Sequence, residues 1–83
     1  MARLNTDPVS TAELHAVLAT PDLLATSKAI WVHLRVTSDP QSQKAIADAL
    51  HMDPATVARL VRALEAKRLA RKVHGVWLAE LPR

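Results

Sequence analysis

The sequence contains no cysteine, which excludes disulfides, thiolate catalysis and cysteine-ligated zinc and is compatible with a reducing cytosol. It contains no phenylalanine or tyrosine, so Trp31 and Trp77 are its only large aromatic side chains. Any core must therefore be built mostly from Ala, Leu and Val, small enough to let helices approach closely. Gly75 is the single glycine; this scarcity favours helices and leaves no glycine-rich phosphate loop. The four histidines, at 15, 33, 51 and 74, are scattered without a pair at helical metal-ligand spacing. The carboxylates do not cluster and no nucleophile motif is present, so the reading is a protein that is not an enzyme and takes no metal or cofactor. No segment approaches the roughly 20 apolar residues of a membrane helix. Residues Met1 to Pro8 are polar, unlike a secretory signal, and a cytoplasmic, nucleoid-associated location is expected.

What is present fits one small domain. A chain of 83 residues has no room for a second core, and little volume for a small-molecule pocket beside the first. The apolar fraction of 49% is enough for a folded core and too high for disorder. The net charge of +3 is unevenly distributed. Residues 1–42 carry three bases against four acids, whereas residues 43–83 carry eight bases against four acids. Six of those eight lie between Arg59 and Lys72, with Glu65 the lone acid among them. Such a segment is the footprint of a polyanion partner, although a solvated helix face can look the same.

Local signals give the order of elements. Residues 1–9 read as a flexible N-terminal arm, and residues 10–83 as the folded domain. Ser10 and Glu13 form a capping box for a helix from Thr11 to Ala19, with Leu14, Val17 and Leu18 at helical spacing. Leu23 and Leu24 either begin another turn or plug the core. Thr26 or Ser27 can cap a second helix carrying Ile30, Trp31, Leu34 and Val36 inward. Pro40 closes a loop. A third helix runs from Gln41 or Ser42 to Leu50, with Ile46, Ala47, Ala49 and Leu50 as its apolar face. After a tight turn at His51-Met52-Asp53, Asp53-Pro54 signals a fourth helix, capped by the carboxylate and opened by proline. Its stripe of Val57, Leu60, Val61 and Leu64 carries it to Ala66 or Lys67. Leu69 to Val73 and Val76 to Leu81 flank His74-Gly75, a two-residue hairpin turn. The fold class is mainly α with a small β-hairpin, in the order of a winged helix-turn-helix.

One stretch is more specific. Ser42-Gln43-Lys44-Ala45-Ile46-Ala47-Asp48-Ala49-Leu50, a turn, and then Pro54-Ala55-Thr56-Val57-Ala58-Arg59-Leu60-Val61-Arg62-Ala63-Leu64-Glu65 closely resemble bacterial winged-helix regulators. In particular the stretch resembles the DNA-reading segment of MarR-type regulators, over about Ser42 to Lys72. The resemblance implies sequence-specific binding of double-stranded DNA, as a transcriptional regulator or a plasmid or phage maintenance or replication factor. A winged helix that binds protein alone is the alternative; it would more often expose apolar groups on the second motif helix. Two positions depart from the family pattern, since His51 and Arg68 stand where glycine is common. A left-handed backbone at either costs something on the order of 1 kcal/mol relative to glycine.

Within this motif Ala55, Thr56, Arg59 and Arg62 fall on the open side of the second helix, whose first turns reach base edges. Arginine can contact guanine bidentately, and threonine can offer a hydroxyl to a base or phosphate and a methyl to thymine. Arg62, one turn further on, suits a phosphate. Ser42, Gln43 and Lys44 open the preceding helix, where backbone donors and the helix dipole favour a phosphate; Ser42 and Gln43 equally suit simple caps. On the wing, Lys72 and His74 are candidate phosphate contacts, the histidine more so when protonated. His74 equally suits a plain turn residue. Trp77 faces Lys72 and reads as a hydrophobic cover with a cation–π contact, and Trp31 as core or interface. The MarR-type resemblance implies a homodimer; the Thr11–Ala19 helix either forms its two-fold contact or closes the monomer's core.

Overall fold

The computed structural model describes residues 9–37 and 39–82. The arm expected over residues 1–9 lies outside them except for its last residue. Six elements follow one another: α1 (Thr11–Leu18), α2 (Ala25–Val36), α3 (Gln43–Leu50), α4 (Pro54–Ala66), β1 (Ala70–Val73) and β2 (Val76–Ala79). Their order is that expected from the sequence, with strands shorter by one or two residues.

The α1 cap forms as read: Ser10 Oγ accepts from the Glu13 N–H and Glu13 Oε2 accepts from the Ser10 N–H, both at 3.0 Å. Val17 is buried and Leu14 packs against the core, but Leu18 points outward. In the α1–α2 connection Leu23 plugs the core and Leu24 is exposed.

Two expectations for α2 are corrected. Neither Thr26 nor Ser27 caps it; the N-cap is Leu24, with no side-chain hydrogen bond. Ser27 is instead fully buried, and its hydroxyl donates to the Leu60 carbonyl of α4 at 3.1 Å. Val36 is exposed, and Arg35 takes the inward place, 3% exposed. Helical periodicity explains the exchange, because Ser27, Trp31 and Arg35 recur every four residues along one stripe while Val36 lies about 100° further round.

Ser42 caps α3, its Oγ accepting from Ala45 N–H at 3.1 Å. Ile46 and Ala47 are buried and Leu50 half-buried, but Ala49, expected inward, is exposed. Asp53 caps α4, accepting from the amides of Ala55 (3.0 Å) and Thr56 (3.3 Å). Val57, Leu60, Val61 and Leu64 all face the core. At the far end Arg68 N–H donates to Glu65 O and Leu69 N–H to Leu64 O, a Schellman closure sealed by the buried Leu64 and Leu69. The hairpin pairs Lys72 with Trp77 and Val73 with Val76. Its two turn residues, His74 and Gly75, both have positive φ (50° and 81°), which matches the right-handed twist of the strands. Gln41, read as a possible helix start, instead exchanges two backbone hydrogen bonds with Trp77 and adds a third, one-residue rung to the sheet. Trp31 is core, with its indole N–H on the Glu80 carbonyl at 3.0 Å.

Besides the apolar packing of Leu14 and Val17, an ion pair joins α1 to α2. Arg35 Nε reaches Glu13 Oε1 at 2.6 Å and an Nη reaches Oε2 at 3.3 Å, with the carboxylate 14% exposed. The guanidinium hydrogen bond holds the Glu13 carboxyl below its ordinary value; partial burial opposes this, and the Ser10 N–H and charge attraction reinforce it. A lowered folded-state value means the stabilisation is complete above the ordinary glutamate range and is lost as pH falls through the lowered one. Glu13→Gln is expected to cost about 1–3 kcal/mol at neutral pH. In circular-dichroism melts from pH 7 to pH 3, the gap between wild type and variant should narrow toward acid.

Candidate nucleic-acid interface

Burying one stripe of α4 leaves the opposite one open. Val57, Leu60, Val61 and Leu64 face inward, so Ala55, Arg59 and Arg62, spaced four and three residues apart, form an outward ridge, and all three are exposed. Thr56 sits at the edge of this ridge and is half-buried. No acid interrupts α4 before Glu65. Among the described residues neither Arg59 nor Arg62 forms an ion pair or side-chain hydrogen bond, so both guanidinium groups are available to a ligand. Because the Asp53 carboxylate holds the amides of Ala55 and Thr56, the first turn of α4 offers side chains rather than free backbone donors.

The start of α3 lies beside the start of α4. Gln43 Nε2 donates to the Pro54 carbonyl at 2.9 Å, so Ser42, Gln43 and Lys44 share a neighbourhood with Ala55 and Thr56. The Ser42 oxygen is engaged in its cap. Lys44 pairs with Asp48 at 3.1 Å on a fully solvated surface, a contact worth little and easily exchanged.

The hairpin contributes separately. Lys72 Nζ stands 5.9 Å from the centre of the Trp77 ring, and Trp77 is buried beneath it. His74 is exposed at the tip. Arg71 approaches Glu80 only to 3.9 Å. The sequence had no pattern announcing the Gln43–Pro54 contact, which joins residues 11 apart across a turn. Among the described residues no group of three His, Asp or Glu side chains could hold a metal ion. No described helix is long and apolar enough to cross a membrane.

Residues 36–74 match the model of the MarR family, a span from the end of α2 through α3 and α4 to the hairpin turn. Together with the four helices and the antiparallel hairpin, this match is consistent with a MarR-type winged helix. No curated protein and no solved structure matches the chain.

The turns around α4 carry backbone strain. His51 (φ 55°), which ends α3, and Arg68 (φ 59°), which ends α4, are both left-handed without being glycine. Arg68 is exposed, so its side chain gains nothing from packing. Arg68→Gly is therefore expected to stabilise the fold by something on the order of 1 kcal/mol. An unchanged or lowered Tm would show that the arginine compensates for its own backbone.

Proposed function

We propose that this MarR-type winged helix binds double-stranded DNA in a sequence-specific manner, laying α4 in the major groove, and serves as a transcriptional regulator or as a plasmid or phage maintenance or replication factor. The observation that carries this reading is the α4 ridge: two exposed arginines without acidic partners, backed by a fully buried apolar stripe. Arg59 lies where the motif reaches base edges, and Arg62 one turn further, toward a phosphate. Ala55 and Thr56 complete the reading surface, with Ser42 and Lys44 beside the backbone. Lys72 and His74 supply a short wing, which suits phosphate contact better than deep insertion in the minor groove. A protein-binding winged helix would more often show apolar groups on this ridge.

The protein acts as a homodimer on this reading. Leu18 and Leu24, 58% and 63% exposed, flank the corner between α1 and α2, where Lys28 Nζ closes onto the Leu18 carbonyl. A dimer calls for a palindromic site with half-sites about one helical turn apart. The location consistent with this role is the cytoplasm.

Fluorescence anisotropy against a mixed-sequence duplex tests the proposal. Wild type should bind with micromolar or tighter Kd at low salt, weakening steeply as salt rises. The Arg59→Ala/Arg62→Ala double variant should lose most of that affinity while keeping its helical circular-dichroism spectrum. Equal binding by the variant would move the interface off α4, and no binding by wild type would favour a protein partner.

A further inference from the structure

The recognition helix is gripped at two points by side chains from two other helices. From behind, the fully buried Ser27 of α2 donates its hydroxyl to the Leu60 carbonyl at 3.1 Å. From beside, Gln43 of α3 donates its amide to the Pro54 carbonyl at 2.9 Å. The two carbonyls lie six residues apart, about 9 Å along the axis at 1.5 Å per residue.

The two grips differ in what they do for folding. A buried hydroxyl needs a partner, so the Ser27 bond is required for stability. Gln43 is half-buried at the surface, and water can serve its amide. The Pro54 carbonyl also belongs to the first turn of α4, where the helix's own ladder supplies a donor. The net contribution of the Gln43 bond to stability is therefore small. What it adds is geometric: beside the buried apolar face and the Ser27 bond at the middle of the helix, it is a directional anchor from a different helix at the end of α4 that meets the groove. Bidentate base contacts need placement to within about 0.5 Å and 10–20°, whereas attraction to phosphates is tolerant of small shifts.

We propose that the Gln43–Pro54 hydrogen bond sets the angle at which α4 meets the major groove, making Gln43 a positioning residue for base discrimination rather than a phosphate contact. This rests on the DNA-binding reading above. It assigns Gln43 a role distinct from those of Ser42 and Lys44, its neighbours at the same helix start.

The test first selects a preferred duplex from a random library with the wild-type protein. Kd is then measured for wild type and Gln43→Met on that duplex and on a mixed-sequence duplex, across several salt concentrations. Methionine keeps the length and helix propensity of glutamine and removes the donor. The expected result is a loss of roughly 5- to 10-fold on the selected duplex, the equivalent of one neutral hydrogen bond. Affinity for mixed sequence and its salt slope should stay within about twofold, and Tm should be essentially unchanged, as befits a surface bond of small net worth. A uniform loss on both duplexes with a salt slope shallower by about one would overturn the proposal in favour of a phosphate contact. So would a loss on both duplexes that follows a fall in Tm, which would make the bond structural, or no loss on either. A wild type that binds no duplex sinks the DNA-binding reading itself, an outcome distinct from all of these.

Discussion

The arrangement of this small protein depends on one stripe of α2. Ser27, Trp31 and Arg35, one per turn, each give a hydrogen bond to a different part of the chain: the Leu60 carbonyl in α4, the Glu80 carbonyl after β2, and the Glu13 carboxylate in α1. All three residues are buried. Burial of Ala, Leu and Val drives the elements together without specifying how they meet, because the hydrophobic effect is non-directional. The buried donors do specify it. An arrangement that left the Ser27 hydroxyl, the indole N–H or the guanidinium without its acceptor would carry a desolvation penalty of about 1–3 kcal/mol for each neutral group and more for the charge. In a domain too small to have much stability in reserve, that penalty is enough to reject a sliding or rotated packing.

The stripe also explains why α4 can be exposed on one side and still be rigid. Its inward face is apolar and its middle is tied to α2 through Ser27. Its first turn is closed by Asp53 and its last by the Schellman bonds of Arg68 and Leu69. Everything that fixes α4 acts on its backbone or on its inner face. The outer ridge is left free of structural duties, so residues such as Arg59 and Arg62 can be chosen for what they bind.

Local signals made much of this legible in advance. The Ser10–Glu13 box, the Asp53-Pro54 start and the Val57–Leu64 stripe depend on residues within one or two turns of one another, and each formed as read. The His74-Gly75 turn and the Lys72–Trp77 pairing followed from the hairpin's short loop. The misreadings lie where a distant partner decides. Ser27 looks like a cap until Leu60, 33 residues away, offers a carbonyl. Val36 looks like core until Arg35 takes the inward place, its charge met by Glu13, 22 residues away. The Gln41 rung needs β2 beside it, and the Gln43 contact needs the turn at His51 to be already made. Of the candidate interface, the ridge was readable because helical periodicity alone sets it, whereas what Gln43 touches was not.

The placement of the acids makes the positive end of the molecule stronger than a net charge of +3 suggests. Glu13 is taken by Arg35, Asp48 by Lys44 and Asp53 by two α4 amides, while Glu80 lies nearest Arg71. Each of these carboxylates faces a local cation or a helix end. Among the described residues none forms an ion pair with Arg59, Arg62, Lys67 or Arg68. Those four cations lie from the middle of α4 to the turn that ends it, with Glu65 the single acid in that stretch. Their fields add rather than cancel, and the potential they create extends about a Debye length, some 10 Å at 0.1 M salt. The carboxylates that cap helices and join α1 to α2 are thus engaged locally, and none of them is paired with these four cations.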